Sequence, residues 1–152
     1  MDEDIKNLGD WTDEATKQML YGVIKRKIKF DKLYRFHLII MWLTLGVLLL
    51  FIYYVYQTVI LPYSGSFDRM FSAFVNHELN VYLLVFTAGL FGYMNLLKYQ
   101  VDKAEKEFHA LRCEIIDKSP DLWASPEAWK KRHIVFALLK EKYDINLYHE
   151  NK

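Results

Sequence analysis

A single cysteine, Cys113, leaves this chain without a partner for an intramolecular disulfide, and no disulfide framework supports any part of it. The simplest reading is a reducing compartment. Catalytic signatures are missing as well. No Ser-His-Asp or Cys-His arrangement sits in a strand-to-helix elbow, and no glycine-rich loop opens a helix to cradle phosphate. Neither an enzyme nor a bound cofactor is therefore expected. Full charge of either sign is absent from Leu38 to Leu61 and again from Leu79 to Leu97. What remains of the 152 residues is too little for a soluble core of ordinary size.

Those two uncharged runs organise everything else. The first, His37 to Leu61 (HLIIMWLTLGVLLLFIYYVYQTVIL), makes a helix of about 36 Å, enough to cross a hydrocarbon layer of about 30 Å with some tilt. It begins too late, runs too long and follows too acidic a head for a signal peptide, so it is expected to stay in the mature protein. Lysine and arginine fix the orientation. Lys25, Arg26, Lys27, Lys29, Lys32 and Arg35 precede the first run, and Lys98, Lys103, Lys106 and Arg112 follow the second. The connector holds only Arg69. Both termini are thus expected in the cytoplasm, with the connector outside a cell membrane. The formal net charge of +1 conceals this segregation and an acidic head carrying Asp2, Glu3, Asp4, Asp10, Asp13 and Glu14.

In chain order, residues 1–36 read as a mobile acidic end followed by a basic amphipathic helix, capped by Thr12 and striped by Ala15, Met19, Leu20, Val23, Ile24 and Ile28. Residues 37–61 form the first transmembrane helix, ended by Pro62 and Gly65. The external connector, 62–78, contains Phe67, Met70, Phe71, Phe74 and Val75 at helical spacing, a short amphipathic helix on the outer leaflet or against the spans. Residues 79–97 form the second transmembrane helix, in which Ala88 and Gly92 make a small-xxx-small pair suited to close helix approach. Residues 98–152 are a cytoplasmic helical tail. Leu97, Val101, Ala104, Phe108, Leu111 and Ile115 alternate at spacings of four and three, a coiled-coil seam whose expected partner is the N-terminal helix. The seam should stop at Pro120. A last helix, Pro126 to Tyr143, is capped by Ser125 and folds back through Trp129, Phe136 and Leu139. The fold class is all-α: a two-helix integral membrane hairpin with cytoplasmic amphipathic extensions.

Three constellations compete for function. The seam and the final helix are candidate surfaces for a second copy or another membrane protein. The basic run Lys25 to Arg35, interleaved with Ile28, Phe30, Leu33 and Tyr34, resembles a nucleic-acid patch in isolation, but beside a membrane span its nearer partner is anionic headgroups, and no nucleic acid is expected. Glu105, His109 and Cys113 lie four residues apart on one helix face and are zinc-type ligands, yet the outer two are about 12 Å apart along a straight helix, so at most two share an ion. His133, His149 or another chain would have to complete such a site, and no metal is expected. A non-enzymatic scaffold, adaptor or regulator follows as the first reading. A metal- or pH-responsive membrane sensor and a small oligomeric pore are the alternatives.

With TDEATKQML at Thr12 to Leu20, the basic juxtamembrane stretch, the paired spans and DINLYHEN at Asp144 to Asn151, the chain resembles the YpbF-like family of two-span membrane proteins from Bacillus and relatives. The resemblance covers nearly the full chain and implies a cell-membrane location. It brings no activity and no site residues.

Overall fold

The computed structural model describes Ile5, Leu8, Gly9 and residues 11–148, and among them every regular element is helical. In chain order these are α1 (Glu14–Val55), a π-helical segment (Tyr56–Ile60), α2 (Leu61–Tyr63), α3 (Phe67–Asn76), α4 (Glu78–Asp117), α5 (Ser119–Leu122) and α6 (Pro126–Tyr143). The chain divides into two units, one of Met1–Lys32 with Val101–Lys152 and one of Leu33–Gln100. The first unit thus joins the head and tail of the sequence.

Its core is built from three helix faces. Leu20, Val23 and Ile24 come from α1, Phe108 and Ile115 from α4, and Ala128, Val135, Phe136 and Leu139 from α6. Each fully buried leucine or isoleucine contributes roughly 1.5–3 kcal/mol relative to exposure. The α1 stripe is narrower than its sequence pattern, since Ala15 and Ile28 face outward while Thr16 is buried and donates to the Leu122 carbonyl at 3.4 Å. The expected cap is also displaced. The Asp13 carbonyl accepts the first helical bond, from Lys17 N–H at 3.0 Å, and the buried Thr12 hydroxyl has no hydrogen-bond partner among the described residues. Ile5 and Leu8 are buried in the core, so two apolar residues anchor an end that its charge had marked as mobile. The acids Asp2, Glu3, Asp4 and Asp10, and the last residues from His149, lie outside the described residues.

Helix α6 starts as its sequence directs: the Ser125 hydroxyl accepts from Ala128 N–H at 3.1 Å, and Pro126 occupies the first turn, where its missing donor costs nothing. It ends on Asp144, which takes the left-handed conformation (φ 55°) tolerated by aspartate. The Asp144 and Ile145 N–H groups both donate to the Leu139 carbonyl. That turn sends Ile145 and Leu147 into the core, both essentially unexposed.

The second unit has the opposite character. Trp42, Leu50 and Val85 are 66%, 70% and 65% exposed, although they lie in the apolar runs. Among the described residues two helices are long and apolar enough to cross a membrane, Glu14–Tyr63 and Glu78–Asp117. Within the apolar runs the buried hydroxyls of Thr44 and Thr87 donate back to the Ile40 and Leu83 carbonyls at 2.8 and 2.7 Å and so leave no hydroxyl hydrogen unpaired. Helix does not stop at Pro62 as expected. The π-helical turn before it widens the backbone spiral, which relieves the clash of the proline ring with the preceding turn, and the chain turns only at Ser64–Gly65. The small-xxx-small pair makes no close approach: Ala88 is exposed, and a Cβ added to Gly92 would meet nothing within 4 Å.

Candidate functional site

The basic run separates according to what each side chain reaches. Arg26 donates to the Glu107 carbonyl at 3.0 Å, and Lys29 lies 3.6 Å from the Glu107 carboxylate. Lys27 pairs with Asp31 at 3.1 Å and with Asp144 at 3.6 Å, its ammonium 5.8 Å from both the Phe30 and Phe108 rings. Those rings stack at 6.5 Å. Arg26, Lys27 and Lys29 therefore hold their own unit together, Arg26 and Lys29 doing so while exposed, and Lys25, Lys32 and Arg35 are exposed as well.

The candidate interaction surface is largely turned inward. Leu97, Val101, Ala104, Phe108 and Ile115 are buried, and Leu111 packs against the core. Phe136 and Leu139 are buried too, with Phe136 edge-on to Trp123 at 5.6 Å and to Tyr148 at 5.4 Å. Only Trp129 stays at the surface, 40% exposed with Arg132 over its ring at 3.2 Å. A different flank of α6 is open. Ile134, Ala137 and Leu138 line a depression of about 530 Å³ with His133, Glu141 and Lys142. The sequence carried this signal as excess: α6 has more apolar residues than one inward face uses.

Glu105 and His109 approach to 3.8 Å, a pair that is ionic only when the imidazole is protonated. Cys113 is a free, half-buried thiol. Among the described residues no three His, Cys, Asp or Glu side chains gather to hold an ion. His133 sits elsewhere, its Nδ1 2.7 Å from the Lys130 carbonyl, and His149 lies outside the described residues. Directly after Cys113, Glu114 forms a 2.7 Å surface ion pair with Lys118, four residues on. The hydrogen bond from Lys118 holds the Glu114 carboxyl below its ordinary value and, reciprocally, raises the Lys118 ammonium above its own.

A polar cleft that sequence reasoning missed opens where α2 and α3 meet the π-helical turn. Thr58, Tyr63, Asp68, Arg69, Ser72, Ala73, Asn76 and His77 line a space of about 500 Å³, and a second hollow of about 320 Å³, bounded by Pro62, Tyr63, Gly65, Ser66 and Arg69, adjoins it. Its polar residues look like ordinary connector polarity until α3 forms. Helical spacing then collects Asp68, Arg69, Ser72 and Asn76 on one face. Asn80 fixes the end of α3: it is buried, and its amide donates to the Phe74 carbonyl at 3.1 Å.

Residues 19–150 match a family model described as a protein of unknown function, DUF2663. The chain is 37% identical over 151 residues to the "Uncharacterized protein YpbF" of Bacillus subtilis (strain 168), a match covering 95% of each chain. No solved structure matches.

Proposed function

The chain belongs to the DUF2663 family, and from that footing we propose that it is a non-enzymatic, two-span integral protein of the cell membrane that serves as a scaffold, adaptor or regulator through helix contacts. The observation that carries the membrane reading is the exposure of the apolar runs. A core helix of a soluble protein hides its leucines, whereas Leu49, Leu50, Ile52, Leu84 and Phe86 stand outward at 58%, 70%, 55%, 48% and 56% exposure, which water would penalise and acyl chains would not. Lys/Arg asymmetry orients both termini to the cytoplasm. The exposed Lys25 and Lys32 then meet anionic headgroups at the inner surface, each contributing about 1 kcal/mol of attraction.

The adaptor reading rests on the open flank of α6. Ile134 is 47% exposed beside Ala137 and Leu138, on a helix whose inward face is already satisfied by its own core. A second copy or another membrane protein is the partner that would cover it. Removing the tail is a poor test, because Trp123, Leu139, Ile145 and Leu147 are core residues whose loss would unfold the unit. A photo-crosslinker at Lys131, exposed and near this flank, is the better probe, used in native membranes with and without Ile134→Glu. A defined crosslinked species that disappears with Ile134→Glu supports the adaptor. An unchanged pattern removes it.

A further inference from the structure

We propose that the cleft between α3 and the π-helical turn is a binding site for a phosphate–ammonium zwitterion, the headgroup chemistry of an ethanolamine phospholipid. The site rests on the two-span reading for its placement at the outer membrane surface.

Four observations converge on this chemistry. First, the cleft holds one fixed charge of each sign, Asp68 and Arg69, and neither is joined in an ion pair to another described residue. Arg69 lines both adjoining hollows. Guanidinium is the side chain that matches phosphate oxygens bidentately, and a carboxylate beside it disfavours a purely anionic ligand while accepting an ammonium. Second, the neutral groups complement the same ligand. Asn76 donates to the Ser72 oxygen at 3.0 Å, which leaves the Ser72 hydroxyl hydrogen to donate to phosphate. Thr58 gives its hydrogen to the Tyr54 carbonyl at 2.8 Å, which leaves its lone pairs for an ammonium.

Third, the opposite face of α3 is apolar and open. Phe67 and Phe71, 78% and 60% exposed, stack at 6.4 Å. A headgroup in the cleft therefore sits across one helix from a surface that acyl chains would cover. Fourth, the backbone here departs from regular helix at Tyr56–Ile60, and such π-helical turns recur at functional sites because they re-aim side chains, here Thr58.

The test uses the full chain purified in detergent and titrated with short-chain phosphatidylethanolamine, phosphatidylcholine and phosphatidylglycerol, and separately with soluble phosphoethanolamine and inorganic phosphate, binding being read by native mass spectrometry. The ethanolamine lipid is expected to bind about tenfold more tightly than the glycerol lipid, which lacks the ammonium. Arg69→Ala should weaken it about tenfold, and Asp68→Asn should abolish the preference for ethanolamine over glycerol. Both residues are exposed, and circular dichroism checks that the variants keep their helix content. Lipid bound more tightly than soluble phosphoethanolamine identifies a membrane ligand; equal affinity identifies a soluble phosphoester of the same chemistry. Equal binding of all three lipids, or an Arg69→Ala variant indistinguishable from the parent, overturns the site. Failure of the two-span reading shows separately, as a chain that stays soluble and monodisperse when detergent is removed.

Discussion

The Arg26 guanidinium and the Glu107 main-chain carbonyl, 81 positions apart in sequence, meet at 3.0 Å and tie α1 to α4. A residue placed by its charge among headgroup contacts is thus also a fastener. Arg26→Ala is expected to lower the thermal stability of the purified chain, by no more than about 1 kcal/mol because the contact is exposed to water. Arg26→Lys should recover little of it, since lysine lacks the planar guanidinium that reaches that carbonyl. A parallel loss on Lys25→Ala, whose side chain is exposed, would show that general charge and not this bond sets the stability.

Gly22 lies in the middle of α1, where a Cβ would meet only the Leu111 Cδ2 at 3.4 Å, an ordinary van der Waals contact. Gly22→Ala should therefore stabilise the helix by about 0.5–1 kcal/mol through a less flexible unfolded chain. Gly22→Leu should do the reverse, because four heavy atoms cannot enter where one just fits, and overpacking costs about 1–3 kcal/mol. Opposite shifts of the unfolding midpoint for the two variants check the packing of α1 on α4.

Core and apolar-run residues separate in the same way. Ile115 is fully buried, and Ile115→Ala should cost about 2–5 kcal/mol of stability while leaving membrane association unchanged. Leu50 is 70% exposed at the middle of the first run. Leu50→Ala should scarcely alter stability, but Leu50→Arg should disfavour insertion by about 2.5–3.5 kcal/mol. Carbonate extraction of membranes from cells expressing each variant reads the difference.

Much of this was legible from side-chain periodicity. Val101, Ala104, Phe108 and Ile115 mark an inward face because a helix can bury only residues that recur every three or four positions. Ser125-Pro126 marks a helix start because capping is local chemistry. What the pattern could not reveal was set by residues distant in sequence. Charge alone could not say that Arg26 and Lys29 would engage Glu107, nor that Ile5 and Leu8 would find a core supplied in large part from beyond residue 100. The cleft stayed hidden because Thr58 reaches it from the π-helical turn, outside any regular repeat.

The Glu114–Lys118 pair makes a prediction with a definite sign. Its carboxyl titrates below the ordinary value, so its contribution is complete above the usual carboxylate range and disappears as pH falls through the lowered one. The ammonium titrates above its ordinary value, so the same contribution persists below the usual lysine range and disappears as pH rises through the raised one. Glu114→Gln should thus be slightly less stable than the parent near neutrality, with the two converging at acid pH. Both groups are exposed, so the effect is small, and unfolding midpoints across a pH series are the measurement.

Orientation follows from which side chains a membrane-impermeant maleimide can reach. With Cys113→Ser removing the native thiol, Ser66→Cys places a thiol at the turn preceding α3, and Lys131→Cys places one on α6. The connector carries one lysine or arginine, Arg69, against six in the stretch Lys25 to Arg35 just before the first apolar run, so its transfer across the membrane is the cheaper choice. Intact cells should label Ser66→Cys at once and Lys131→Cys only after permeabilisation. The inverse pattern would turn the molecule over and place the α3 cleft at the inner leaflet. Labelling of both sites in intact cells would mean that the two apolar helices do not enclose a translocated connector at all, and the hairpin would have to give way to helices lying along the surface.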